Sequence, residues 1–227
     1  MTRAAYCPRQ LYYARRVDDR TIPDSQRARI DLAFRYPELL DLSDRDLSDR
    51  PIDPPPARYR RRLRSLRDGG LVDRFDVPWR SLVNPADERV LLVGRTCHGI
   101  AHKVIDGPDS DGSSPDPPPI PTIVSPGTPP ETGVWEPQAV RAVAVAKALA
   151  WEREREIPRA LVEYPAVGVV REVRLTVRRL ATYRRALRAA RGIDGPPPRV
   201  NDARCPPCEY HEKCGTKTRS LRSRLGL

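Results

Sequence analysis

Lysine, histidine, phenylalanine and methionine are all scarce in this chain of 227 residues, which holds three His, two Phe, one Met and only Lys103, Lys147, Lys213 and Lys217 as lysines. No apolar run reaches the roughly 18 residues that a membrane-spanning helix needs, so no such span is expected. The opening MTRAAYCPRQ lacks the apolar core of a secretory leader, and a cytoplasmic location is expected.

Arginine, proline and cysteine fill the gap. Lys and Arg total 41 against 30 Asp and Glu, a net charge of +11, and nearly all of that charge is guanidinium. Such a surface attracts polyanions, and the planar fork of arginine suits bidentate phosphate contact; nucleic acid is the first partner to consider. The length fits one domain with a real core.

Along the chain, Pro8 is placed to open a helix carrying Leu11, Tyr12 and Tyr13 inward and Arg15 and Arg16 outward. A second helix is expected from Ser25 to Tyr36, stopping before Pro37. DLSDRDLSDRPIDPPP reads as a surface loop, and ARYRRRLRSLRDGG as a basic helix ended by Gly69 and Gly70, whose arginine face could track phosphates or simply be solvated. VLLVGRTCHGIAHKVI reads as two strands bent at Gly94, DGPDSDGSSPDPPP as a loop, and IPTIV as a further strand. A buried Ala- and Val-rich helix follows from Glu136 to Glu156. Next come a β-hairpin turning at Gly168 and a helix from Val177 to Arg191. Trp79, Trp135 and Trp151 are expected in the core or at a lobe interface, and Cys97 as a small buried side chain. The order predicts an α/β (α+β) fold in one domain of residues 1–227: a helical lobe and basic linker over 1–80, a core over 81–195, and a cysteine cluster with a basic tail over 196–227.

Three of the five cysteines crowd into RCPPCEYHEKC as Cys205, Cys208 and Cys214. The two-residue gap lets two thiolates face one centre across a turn preset by Pro206 and Pro207. Three thiolates leave a four-ligand site one short, and Cys7 in YCPRQ, at a helix start where negative charge is favoured, is the natural fourth. Zinc and an iron–sulfur cluster both accept four thiolates, and His211 could replace one of them around zinc. One distant cysteine with a compact triplet favours the cluster.

YCPRQLYYARR at the start and RCPPCEYHEKC at the end together resemble the iron–sulfur exonucleases associated with CRISPR arrays, members of the RecB-like nuclease superfamily. HGIAHKVIDG, PTIVSPGTPP, WEPQAVRAVA and ALVEYPAVGVVREVRLTVRRLATYRRAL extend the resemblance over about two thirds of the chain. It implies a restriction-endonuclease-type core with a mixed sheet flanked by helices. It also implies a 4Fe-4S cluster on Cys7, Cys205, Cys208 and Cys214, and a DNA substrate, single-stranded or with single-stranded ends. CRISPR adaptation proteins are the implied partners, and antiviral defence the implied setting. Arg15, Arg16, Lys103 and Arg141 are the basic residues assigned to DNA.

Enzymes of that family cut DNA with Mg or Mn held by an Asp and by a Glu two residues before a Lys. No acidic residue precedes any lysine here by two, since Ala101, Val145, His211 and Gly215 occupy those places. The aspartate position falls on His102, and the Glu and Lys positions on Ile123 and Ser125. Of a helix motif with Gln and Tyr, Gln138 remains while Ala142 takes the tyrosine place. A neutral imidazole is a poor ligand for a hard cation, so the expected protein is a catalytically impaired DNA-binding relative. The rivals are an active exonuclease with ligands relocated to Asp106, Glu131 or Glu136, and a zinc-stapled adaptor. His98 and His102, four apart on one strand face beside Cys97, could form a second metal site or be ordinary polar residues of a former cleft.

Overall fold

The computed structural model describes residues 1–17, 21–107, 117–200 and 203–215. Most of the Asp-rich loop expected after Ile105 and the basic tail after Gly215 lie outside the described residues. At the N-terminus, α1 (Thr2–Tyr6) and α2 (Pro8–Ala14) are separated by Cys7 alone, which is extended (φ −161°, ψ 118°). Pro8 opens α2, where its missing N–H has no intrahelical partner to lose.

Short helical pieces follow: α3 (Asp24–Asp31), a 3₁₀ turn at Leu32–Phe34, α4 (Tyr36–Asp41), α5 (Asp44–Ser48), α6 (Pro56–Ser65), a π-type turn at Leu66–Gly70, α7 (Leu71–Phe75) and α8 (Trp79–Val83). Pro37 starts the next helix instead of merely ending the last. The doubled DLSDR segment is not all loop. Ser43 caps α5 by accepting the Asp46 N–H, and Leu47 is fully buried. The basic helix does break at its glycines, with Gly69 at φ 130°, a conformation a side chain would resist.

The five strands are β1 (Asp87–Val93), β2 (His98–Ile105), β3 (Ile120–Val124), β4 (Arg159–Tyr164) and β5 (Val169–Arg174), and they lie side by side in chain order. Only β3 and β4 are parallel, and the connection between them contains α9 (Glu136–Glu152). The two strands expected around Gly94 pair antiparallel, and the expected hairpin at Gly168 is present. α9 is shorter than expected: the chain turns at Glu154, whose φ is 49°. α10 (Val177–Arg191) has its expected limits, and α11 (His211–Gly215) closes the described chain.

Two hydrophobic cores sit on opposite faces of the sheet. One packs α9 and α10 on Leu92, Ala101, Ile123, Ala160 and Val162, and takes in Ala4 of α1. The other packs Leu32 to Leu82 of the helical region on Ile105, Ile120, Val124, Leu161 and Val170. The mixed sheet flanked by helices is as expected, but the sheet divides the N-terminal lobe, with α1 on one face and residues from Leu32 onward on the other. Trp79 stacks on Tyr36 beside the second core, whereas Trp135 and Trp151 are exposed, contrary to the core role expected for them.

Inside the second core lies an ion pair. Lys103 on β2 and Glu163 on β4, each essentially solvent-free, meet at 3.1 Å, bridging over β3. The ammonium also donates to the carbonyls of Ala33 (2.7 Å) and Leu82 (3.0 Å), so it ties the helical layer to the sheet. Burial raises the Glu163 pKa despite this partner, and no bond satisfies its second oxygen. A buried pair costs about 3–5 kcal/mol when one partner alone is removed, because the survivor is left charged in an apolar site. Glu163→Leu is therefore expected to lower the unfolding free energy obtained from denaturant melts by that margin, and K103M/E163L to recover most of it; a midpoint unmoved by Glu163→Leu contradicts this role.

Candidate functional site

Cys7, Cys205, Cys208 and Cys214, separated by almost two hundred residues of sequence, line one cavity of about 20 Å³. All five cysteines of the chain are free and half-buried. Local turns set the tail: the Cys208 N–H donates to the Cys205 carbonyl (3.1 Å), that of His211 to Cys208 (2.9 Å), and that of Cys214 to Tyr210 (2.8 Å). The Cys7 carbonyl accepts from Leu11 within α2.

Around the thiols the two ends of the chain are laced together. Tyr6 donates to the Arg204 carbonyl (3.2 Å), Arg204 returns a bond to the Tyr6 carbonyl (2.6 Å), and Tyr13 donates to the Lys213 carbonyl (3.2 Å). Tyr13 and Tyr210 stack with ring centres 5.7 Å apart, and Arg9 donates to the Pro197 carbonyl (3.0 Å). Arg3 reaches Glu209 at 3.4 Å. His211 also lines the cavity, with Nδ1 2.9 Å from the Cys205 carbonyl oxygen.

The donor set fits a thiophilic metal or cluster by chemistry: four soft sulfur ligands and one imidazole share a mainly apolar cavity. The side chains are not drawn into the tight group that a single ion requires, and among the described residues no three His, Cys, Asp or Glu form one.

The other place of interest is the expected nuclease cleft at His102, Ile123 and Ser125. All three are buried. The β1–β2 register skips the pair Arg89 and His102, where Arg89 takes φ 54°. The β2–β3 register stops at Lys103 opposite Thr122, and His102 Nδ1 accepts the Val124 N–H at 3.2 Å. The imidazole thus stands in for a missing carbonyl in the ladder. Burial first, then the positive charges of Arg141, Arg89 and Lys103, push its pKa down to about 3, so the ring is neutral and surrounded by cations.

The carboxylates that could rebuild a cation site stay away. Asp106, Glu131 and Glu136 are exposed, and Glu136 lines a separate groove beside α10. Ile123 belongs to the apolar core, and the Ser125 N–H donates to the Glu163 carbonyl at 2.8 Å. Gln138 on α9 has a buried side-chain oxygen without a partner. His98 is exposed while His102 is enclosed, so the two do not form a metal pair. Cys97 is half-buried, with its sulfur 3.3 Å from the Tyr183 hydroxyl.

Of the residues assigned to DNA, Lys103 is the clear correction. It is locked in the ion pair with Glu163, where solvent and phosphate cannot reach it. Arg141 is half-buried beside His102. Arg15 is exposed but donates to the Ala190 carbonyl (2.8 Å), and Arg16 lies over the Tyr12 ring at 3.6 Å. The Lys103–Glu163 pair was not anticipated from sequence; its signal is a lone opposite charge in each of two otherwise apolar strands, AHKVI and ALVEY.

Comparison with protein-family models found no match, and comparison with curated proteins found none either.

Removing His102 leaves the buried Val124 N–H unsatisfied, a loss of about 1–3 kcal/mol. Its low folded pKa also means that the unfolded chain gains a proton first as pH falls. Stability present above about pH 6.5 is lost toward pH 3, at about 1.4 kcal/mol per unit where only the unfolded state is protonated. Chemical denaturation of His102→Leu against the parent chain should show a lower midpoint at pH 7 and a shallower decline below pH 6.5. Equal slopes would contradict the buried, neutral imidazole.

Proposed function

We propose that this chain is an iron–sulfur DNA-binding protein on a RecB-like nuclease scaffold, related to CRISPR-associated exonucleases and acting in CRISPR adaptation or other DNA processing without a working catalytic cation site. The observation that carries the reading is the meeting of Cys7 with Cys205, Cys208 and Cys214 at one cavity. That meeting is what the resemblance requires and what local sequence alone would not produce.

In this reading the four thiols hold a 4Fe-4S cluster, which when bound supplies one-electron redox chemistry and a cross-link between distant segments. The chain's own residues do the rest. Tyr6, Tyr13 and Tyr210 wall the thiols, while Arg9 and Arg204 fasten the tail to α2 and α1. Three antiparallel strands, a helix and a parallel fourth strand support a RecB-like core. The cationic surroundings of His102 support loss of the metal-dependent cut, since a divalent ion there would meet like charge while Asp106, Glu131 and Glu136 are turned to solvent. A cytoplasmic setting would keep the thiols reduced and available.

One observation favours a second reading, a zinc staple: His211 sits at the same cavity and could complete a site with three cysteines. Anaerobic purification separates the two. A brown protein absorbing broadly at roughly 400 nm, with iron and acid-labile sulfide in equal amounts and both lost in Cys7→Ser, is the expected result. A colourless protein carrying stoichiometric zinc overturns the cluster, and one carrying neither overturns both readings.

The loss of cutting is tested separately. Single-stranded DNA incubated with the protein and manganese or magnesium should remain intact. Robust cleavage abolished by a chelator would show that the cleft still works.

A further inference from the structure

α10 carries six arginines and no acidic residue. Tyr183, Ala186 and Ala190 face the core, while Arg178, Arg184, Arg185, Arg188 and Arg191 are exposed on the outer side. The row runs for about 20 Å at 1.5 Å per residue. Arg185 reaches the Thr182 hydroxyl and Arg191 the Thr96 carbonyl. Among the described residues none of the five is in an ion pair, and the side chains of Arg178, Arg184 and Arg188 make no hydrogen bond.

Folding does not ask for this pattern. Arg184 and Arg188 repel at i,i+4, as do Arg185 and Arg188 at i,i+3. Arg178 and Arg179 stand in the first turn, where the helix dipole favours an anion. Arg188 and Arg191 in the last turn do suit the dipole, so the anomaly lies in the first turn and the middle. The basic helix α6 differs in its neighbours: its exposed Arg58, Arg61 and Arg64 are also outside any ion pair among the described residues, but α6 packs against α4 and α5, which carry Glu38, Asp41, Asp44 and Asp46, and its Arg60 pairs with Asp44 at 2.5 Å.

We propose that the outer face of α10 is a docking surface for duplex DNA, gripping backbone phosphates without reading bases. This rests on the DNA reading given above. A rigid helix face carrying several guanidinium groups suits the regular phosphates of a duplex. No aromatic residue is exposed on α10 for stacking, which single-strand binders use. The helix's apolar side is turned inward, so it cannot lie in a bilayer surface as an amphipathic membrane helix does.

The test compares R178Q/R184Q/R188Q with R58Q/R61Q/R64Q on α6, which removes the same charge, by anisotropy with a fluorescent duplex at several salt concentrations. The α10 variant is expected to lose affinity, with the slope of log K against log salt falling by about 3, while the α6 variant keeps the parent slope. R178K/R184K/R188K should retain most of that slope, which separates lost charge from a damaged fold. Equal losses in the α6 and α10 variants would mean net charge acts, and would overturn the surface. Parent protein that binds duplex with the α10 variant unimpaired overturns the surface alone. Parent protein that binds no DNA overturns the DNA reading with it. An oligo-dT that binds more tightly than the duplex, or binding only to phosphatidylserine vesicles, also overturns the proposal.

Discussion

The return of the chain's end to its beginning is the constraint on which the rest depends. α1 is held in the core shared by α9 and α10, so Cys7 has a fixed position that does not depend on contacts with the tail alone. The tail then binds to that fixed point through Tyr6, Arg9, Tyr13 and Arg204, and not through an extensive apolar interface of its own. Polar and aromatic contacts of this kind are individually modest. A cofactor shared by Cys7 and the tail thiols would close a loop of nearly two hundred residues and restrict the unfolded chain by about 5 kcal/mol. The contacts give the register, and the sulfurs would give the strength.

The cleft and the thiol cavity meet different demands. At the positions where the resemblance would put a catalytic cation, the sheet uses the side chains for its own packing. His102 satisfies Val124, Ile123 fills the core, and Lys103 is committed to Glu163. Each of these roles holds the strands and helices together without a bound cation. The positive charge retained near His102 would oppose a divalent ion. It would not oppose a DNA backbone passing outside, where arginines are exposed.

Much of this was legible in sequence because period and punctuation were strong. The IPTIV strand, the Gly168 hairpin and the helix over Val177–Arg191 have their expected places. What escaped was tertiary. A single acid among apolar strand residues reads as noise until a lysine two strands away is found opposite it, and without that partner Lys103 reads as one more cation open to DNA. Leu47 gave little reason to expect a helix inside DLSDRDLSDR, since its burial depends on partners far along the chain. Cys7 could be matched with the tail thiols in advance because three nearby thiols leave one place open in a four-ligand set, and the fold brings Cys7 to the cavity they line. The arginines of α10 were visible as letters, but their lack of carboxylate partners is a property of the fold.

In the proposed reading a cofactor, and not surface contact alone, joins the two ends of the chain. Hydrogen exchange of backbone amides, measured before and after the bound metal is chelated, addresses it most directly. The account predicts that protection in α2 and in residues 203–214 falls together while α9 is unchanged. Protection that is the same with and without metal, or that is lost from only one of the two segments, would contradict it.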